Sequence, residues 1–134
     1  MATNIVHISG QRKKAIARAT LKPGKGIIRI NKMLLELHKP ELAKQRIMEP
    51  LQLAGDVANK VNININVHGG GWQAQSDATR LAIARGLVKF SGSKDLRQTF
   101  LDYDRHLVVA DVRQVEPSKP NNSKARAKRQ KSYR

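Results

Sequence analysis

VNININV, residues 61–67, alternates apolar and amide side chains without a break. Val61, Ile63, Ile65 and Val67 fall on one face and Asn62, Asn64 and Asn66 on the other, the period-two pattern of a half-buried β-strand. Such a strand implies a sheet with one face on a core and an opposite face met by water or by a hydrogen-bonding partner.

Upstream, NIVHIS (residues 4–9) carries Ile5, Val6 and Ile8 and reads as a strand. After Gly10, KKAIARATLK sets Ala15, Ala17 and Ala19 on one side and Ile16, Arg18 and Thr20 on the other, a second strand. Pro23 and Gly24 suit the centre of a type II turn, and IIRIN (27–31) reads as a third strand, so an antiparallel three-strand meander is expected. A helix is then expected from Pro40 and Glu41 through Leu42 and Ile47 to about Glu49. Pro50 is expected to break or restart it, leaving a short piece with Leu51 and Leu53 that ends near Gly55.

Beyond the alternating strand, HGGGW (68–72) leads into a helix from about Gln73 to Phe90. Ala74, Leu81, Ala84, Leu87 and Val88 form its apolar stripe, and Gly86 lets a neighbouring backbone approach. A last helix starts with Ser93 as N-cap and sets Leu96 and Phe100 on one side. The order predicts an α+β fold: a mixed sheet of about four strands with helices on one face.

The chain has 134 residues, 40% of them hydrophobic, enough for one core. Lys and Arg number 26 against 10 Asp and Glu, a net charge of +16, which favours a polyanionic partner. An anionic membrane would need a basic amphipathic helix or a lipidation signal, and neither is found. With no apolar run of 18 residues and no signal core in MATNIVHISGQRKK, a soluble cytoplasmic protein is expected. The absence of cysteine excludes disulfides and Cys-based zinc sites.

Charge is divided unevenly. Residues 1–117 hold 19 Lys and Arg and all 10 acids, whereas residues 118–134 hold seven cations and no acid. PSKPNNSKA (117–125) marks the boundary, so a globular body over 1–117 and an extended basic tail over 118–134 are expected.

Catalytic chemistry is poorly represented. HGGGW has glycines beside a helix N-terminus, where a phosphate can sit, but it matches neither GxxxxGK[ST] nor GxGxxG, and a tight turn or close contact is favoured. His7, His38, His68 and His106 lack metal-ligand spacing, so no metal, cofactor or catalytic residue is assigned. Asp102 and Asp104 could form a carboxylate pair, but the better reading has Asp104 pairing with Arg105 or capping a turn. The basic clusters carry more weight: Arg12, Lys13 and Lys14 at a hairpin turn, with Arg18 and Arg105 as weaker cases. In the tail, Lys124, Arg126, Lys128, Arg129, Lys131 and Arg134 can each neutralise a phosphate, and Tyr133 can stack.

GQRKKAIARATLKPGKGIIRIN (10–31), GGGWQAQSDATRLAIARGL (69–87), FLDYDRHLVVADVRQVEPSKP (100–120) and ARAKRQKSYR (125–134) together resemble small-subunit ribosomal protein nine in its archaeal and eukaryotic form. The terminal QKSYR is the most specific element, and the short N-terminus without cysteine looks archaeal. Two stretches depart from the family pattern: Arg129, where relatives often carry an aromatic residue, and Asn121, Asn122 and Ser123, where a glycine-rich link is common.

The resemblance implies a fold like the second domain of ribosomal protein five, with a left-handed βαβ crossover that pattern reading alone would have made right-handed. It implies a non-enzymatic structural role in the head of the small subunit, with ribosomal RNA, P-site tRNA and neighbouring head proteins as partners. Lys131, Ser132, Tyr133 and Arg134 are expected at the tRNA anticodon stem-loop. Arg12, Lys13, Lys14, Arg18, Arg105, Arg113, Lys119, Lys124, Arg126, Lys128 and Arg129 are expected on ribosomal RNA. Two rivals are a free-standing nonspecific nucleic-acid binder and a small-molecule kinase, whose phosphate loop HGGGW loosely resembles although a serine-rich glycine loop is missing.

Overall fold

The computed structural model describes residues 4–134; Met1–Thr3, the start of the stretch read above as lacking a signal core, lie outside the described residues. The strands are β1 (Val6–Arg12), β2 (Ala15–Pro23), β3 (Ile28–Ile30), β4 (Met33–Leu34) and β5 (Val61–His68). The helices are α1 (Glu41–Ala54), α2 (Asp56–Asn59), α3 (Trp72–Ser91) and α4 (Lys94–Tyr103), with 3-10 turns at Leu35–Leu37 and Arg105–Leu107.

The expected α+β architecture is present as a five-stranded mixed sheet in the order β1-β2-β5-β3-β4. The strand missing from the sequence reading is β4, a two-residue edge strand too short to show a period. The meander is corrected. β2 pairs antiparallel with β1 and β5, while β3 lies on the far side of β5 and runs parallel to it. β5 offers β2 a register from Ile16↔His68 to Pro23↔Val61, whereas β3 offers only three residues.

The side chain of Asn62 steers this crossing. Its Oδ1 accepts from the backbone N–H of Lys25 at 2.9 Å and of Ile27 at 3.0 Å, and Gly24 N donates to Lys60 O at 2.9 Å. The loop is thereby held across the end of β5 and released on its other side. Positive φ falls on Gly26 (85°) and not on Gly24, so the type II turn centred on Pro23 and Gly24 does not form.

Pro50 does not break its helix: α1 runs through it to Ala54 and ends where Gly55 N donates to Leu51 O. The lost hydrogen bond to the Arg46 carbonyl, part of a cost of roughly 3 kcal/mol, is offset by packing. Ala43, Ile47, Pro50 and Ala54 are all buried on this helix.

The inward side chains of β2 and β5 serve one core. Ala15, Ala17, Ala19 and Leu21 of β2 meet Val61, Ile63, Ile65 and Val67 of β5, and α3 covers them with Ala78, Ala82, Ile83 and Leu87. The expected stripe is there, Ala74 and Val88 half-buried and Leu81, Ala84 and Leu87 buried. The backbone approach expected at Gly86 occurs instead at Gly10 of β1. A Cβ on Gly10 would collide with the Ala78 carbonyl oxygen and lie 2.8 Å from Ala82 N, whereas one on Gly86 would meet the Leu21 methyls at 2.6 and 3.0 Å. Ser93 caps α4 as expected, its Oγ accepting from Leu96 N at 3.3 Å, and Phe100 is buried.

Gly10→Ala pushes against backbone and is expected to destabilise the fold by about 3 kcal/mol, the upper part of the overpacking range. Gly86→Ala is expected to cost less, because methyl groups can swing aside and alanine recovers about 1 kcal/mol of helix propensity. Urea midpoints of the two variants test this order, and equal losses would refute the direct seating of α3 on β1.

Candidate nucleic-acid interface

Where α1, α3, the end of β1 and the segment after α4 converge, charged side chains line a cleft of about 370 Å³. Arg80 of α3 bridges Glu49 of α1 and Asp104, the latter at 3.0 Å, and Arg46 donates to Asp77 at 2.9 Å. Arg12 lies 3.4 Å from Asp111. These cations face carboxylates, so the cleft is internally neutralised and offers an incoming phosphate no surplus charge.

Asp104 caps the following turn as expected, accepting from His106 N at 2.9 Å, but its ion partner is Arg80 and not Arg105. Arg80 reaches across from α3, whereas Arg105 sits exposed in the 3-10 turn. Burial alone would raise the Asp104 pKa; the His106 N–H and the Arg80 guanidinium outweigh it and hold the carboxyl below its ordinary value. Asp102 accepts from Gln98 at 2.8 Å, which leaves it apart from Asp104 in role. Among the described residues no group of three His, Cys, Asp or Glu side chains is arranged to hold a metal.

From the buried Leu107 the chain continues as a strap. Arg85 Nε donates to Val108 O at 2.8 Å, and Arg12 Nη1 donates to Arg113 O at 3.2 Å. Arg113 grips Asp111 with both arms of its guanidinium, Nη2 at 2.6 Å and Nε at 3.0 Å. This fork and the Arg113 backbone N–H hold the Asp111 carboxyl far below the usual carboxylate range.

Among the described residues no hydrogen bond joins the body to the chain after Arg113. Two loose turns, Asn122 N to Lys119 O and Ala127 N to Lys124 O, and a forked ion pair from Arg126 to Glu116 (2.6 Å) shape the rest. The side chains of Lys119, Lys124, Lys128, Arg129, Lys131, Ser132, Tyr133 and Arg134 are exposed, with no bond to other described residues.

The three adjacent cations of the hairpin part ways. Arg12, the last residue of β1, lies in register with the inward Ala15 and turns toward the strap, whereas Lys13 (φ 53°) and Lys14 stay exposed at the tip. Arg18 is exposed on the sheet face away from the helices. Sequence reasoning missed Arg29, because a three-residue strand is too short for a period to assign its faces; Arg80 and Arg85 gave no signal at all.

The HGGGW glycines build a turn, as favoured above. Gly69 and Gly70 have φ of 79° and 63°, a Cβ on Gly69 would collide with the Lys14 carbonyl oxygen, and Gln75 Nε2 donates to Gly69 O at 3.1 Å. At Gly69 and Gly70 the loop is closed against the hairpin.

Comparison with known proteins agrees with these features. The family model described as ribosomal protein S9/S16 matches residues 10–134. Small ribosomal subunit protein uS9 of Methanococcus maripaludis is 52% identical over 97% of this chain and 98% of its own length. The protein of that name from Desulfurococcus amylolyticus is 52% identical over 97% of this chain and 93% of its own. With an anchored strap, a basic tail and a match over nearly its whole length, the chain belongs to the ribosomal protein S9/S16 family.

Proposed function

We propose that this protein is a structural constituent of the small ribosomal subunit in the cytoplasm, without catalytic activity. Its body binds ribosomal RNA in the subunit head beside neighbouring proteins, and its tail reaches the anticodon stem-loop of P-site tRNA. The observation that carries this reading is the exposed, acid-free stretch from Pro117 to Arg134 leaving an anchored strap. Such a segment orders only against a polyanion, where each cation gains a charge-assisted phosphate contact.

In this reading Lys131, Ser132, Tyr133 and Arg134 meet tRNA. Lys13, Lys14, Arg18, Arg105, Lys119, Lys124, Lys128 and Arg129 meet ribosomal RNA. Arg126 joins them by exchanging the exposed Glu116 carboxylate for a phosphate, a trade that costs little at the surface. Arg113 is 77% exposed and can make a similar exchange, while Arg12, at 16%, acts mainly by fixing where the tail departs. Contacts to phosphate position without reading bases, which suits a site that accepts every tRNA. We also carry over from the family resemblance the left-handed sense of the β3–α1–β5 crossover; the parallel pairing of β3 and β5 supports the crossover and is neutral as to its hand.

Deleting Arg134 is expected to leave subunit assembly intact and to speed P-site tRNA dissociation by about fivefold, on the order of 1 kcal/mol. An unchanged off-rate on reconstituted subunits removes the tail's assigned role, and a native protein that stays off small subunits in lysate at moderate salt makes it a free-standing binder. Truncating Gln130–Arg134 is expected to weaken tRNA binding further and to flatten its salt dependence.

Asp111→Asn is expected to free the strap, read as faster amide exchange over residues 109–113 with the global unfolding midpoint little changed. Because the folded-state pKa of Asp111 is depressed, its contribution is fully present above the ordinary carboxylate pKa and is lost as pH falls through the lower folded value. Most of that depression comes from Arg113 within the strap, and docking draws on the Arg12–Asp111 pair, so the strap is expected to stay docked at pH 5 in the native protein and to open more readily in Asp111→Asn, where the Arg12–Arg113 and Arg85–Val108 bonds remain.

A further inference from the structure

We propose that the open face of the sheet is a second RNA surface, one that grips the sugar–phosphate backbone of a ribosomal RNA segment; this rests on the family reading above. Two rows of side chains cross it in register. One runs from His7 through Thr20 and Asn64 to Arg29, and the other from Ser9 through Arg18 to Asn66. The helices α1 and α3 pack on the opposite side, so these residues are exposed or half-exposed.

Charge on this face is unbalanced, unlike that of the cleft. None of the 10 acidic residues lies on any strand, whereas Arg18 and Arg29 do, and Lys32 follows β3. Neither arginine has a carboxylate partner among the described residues. The amides of Asn64 and Asn66 are likewise without a hydrogen bond there. Two shallow hollows, one lined by Arg29, Lys32 and Asn64 and the other by Arg18, both include Asn66, so the face forms one trough with an arginine on either side.

The chemistry selects the occupant. A stable protein interface needs an apolar centre, and the large aliphatic side chains that the strands turn to this side, Ile16 of β2 and Leu34 of the edge strand β4, are set apart across the sheet. Reading of unpaired bases needs aromatic platforms, and none of these strands contains an aromatic residue other than histidine. Guanidinium and amide groups in rows are donors for phosphate oxygens and 2′-hydroxyls. β1, β2 and β5 are fixed by long registers, so Arg18, Asn64 and Asn66 are arranged before RNA arrives.

The test compares full-length variants in binding a transcript of the small-subunit head RNA across a salt series. Arg18→Gln/Arg29→Gln is expected to weaken binding by roughly tenfold and to lower the log–log salt slope by about 1.8 if both phosphates lie on duplex RNA. Arg18→Lys/Arg29→Lys is expected to restore most of that slope. Asn66→Asp, which puts a carboxylate in the trough at nearly unchanged shape, is expected to weaken binding too, with urea midpoints confirming that each variant folds. Unchanged affinity and slope in the glutamine and aspartate variants, while Lys124→Gln/Lys128→Gln loses affinity, overturns the proposal and leaves the family reading intact. Normal RNA binding with lost incorporation into subunits gives the face to an acidic protein and also overturns it. A native protein that binds the transcript no better than unrelated RNA overturns the family reading and this proposal with it.

Discussion

The seating of α3 directly on the backbone of β1 is the contact on which the other placements depend. Gly10 leaves no side chain between strand and helix, and Ala15, Ala17 and Ala19 keep the neighbouring strand equally thin. The helix can then present Arg80 and Arg85 to the segment after α4, where they hold Asp104 and the Val108 carbonyl. A helix raised by even one methyl layer would lift those guanidinium groups away from the strap. The tail's point of departure is thus set by the absence of a side chain on the far side of the helix.

Charge is sorted by this geometry. Glu49, Asp77, Asp104 and Asp111 are drawn into the cleft and matched with arginines, so much of the chain's scarce acid is tied to internal joints. The net positive charge is left outside, on the hairpin tip, the open sheet face and the tail. Ion pairs at the surface contribute little to stability, and those of the cleft matter chiefly for holding segments in place.

Periodicity made β2, β5, α3 and the Ser93 cap legible, because each is a local pattern that tertiary contacts did not override. Strand order was not legible: it turns on Asn62, whose side chain catches two backbone N–H groups of a loop far earlier in the chain. Pro50 misled for a similar reason, since its burial together with Ile47 and Ala54 outweighs a local rule about prolines. Composition led to the expectation of a tail, because the acid-free segment 118–134 offers little apolar surface to bury. The hairpin cluster was read as one unit, yet Arg12 belongs to a strand end facing inward and Lys13 to the turn beyond it. Arg29 escaped because Ile27 shares its side of the IIRIN strand while Ile28 and Ile30 share the other, so pairing with Asn64 is what settles its face.

The register of β2 with β5, and the seating of α3 on both first strands, also order events during synthesis. Residues 6–23 have no partner for their inner face until residues 61–91 have been made, so the first hairpin must wait on the ribosome as an open, unsatisfied surface. Residues 112–134 are made after every residue that packs the core. A body can therefore close behind the exit tunnel before its most basic segment is free to wander onto the wrong RNA.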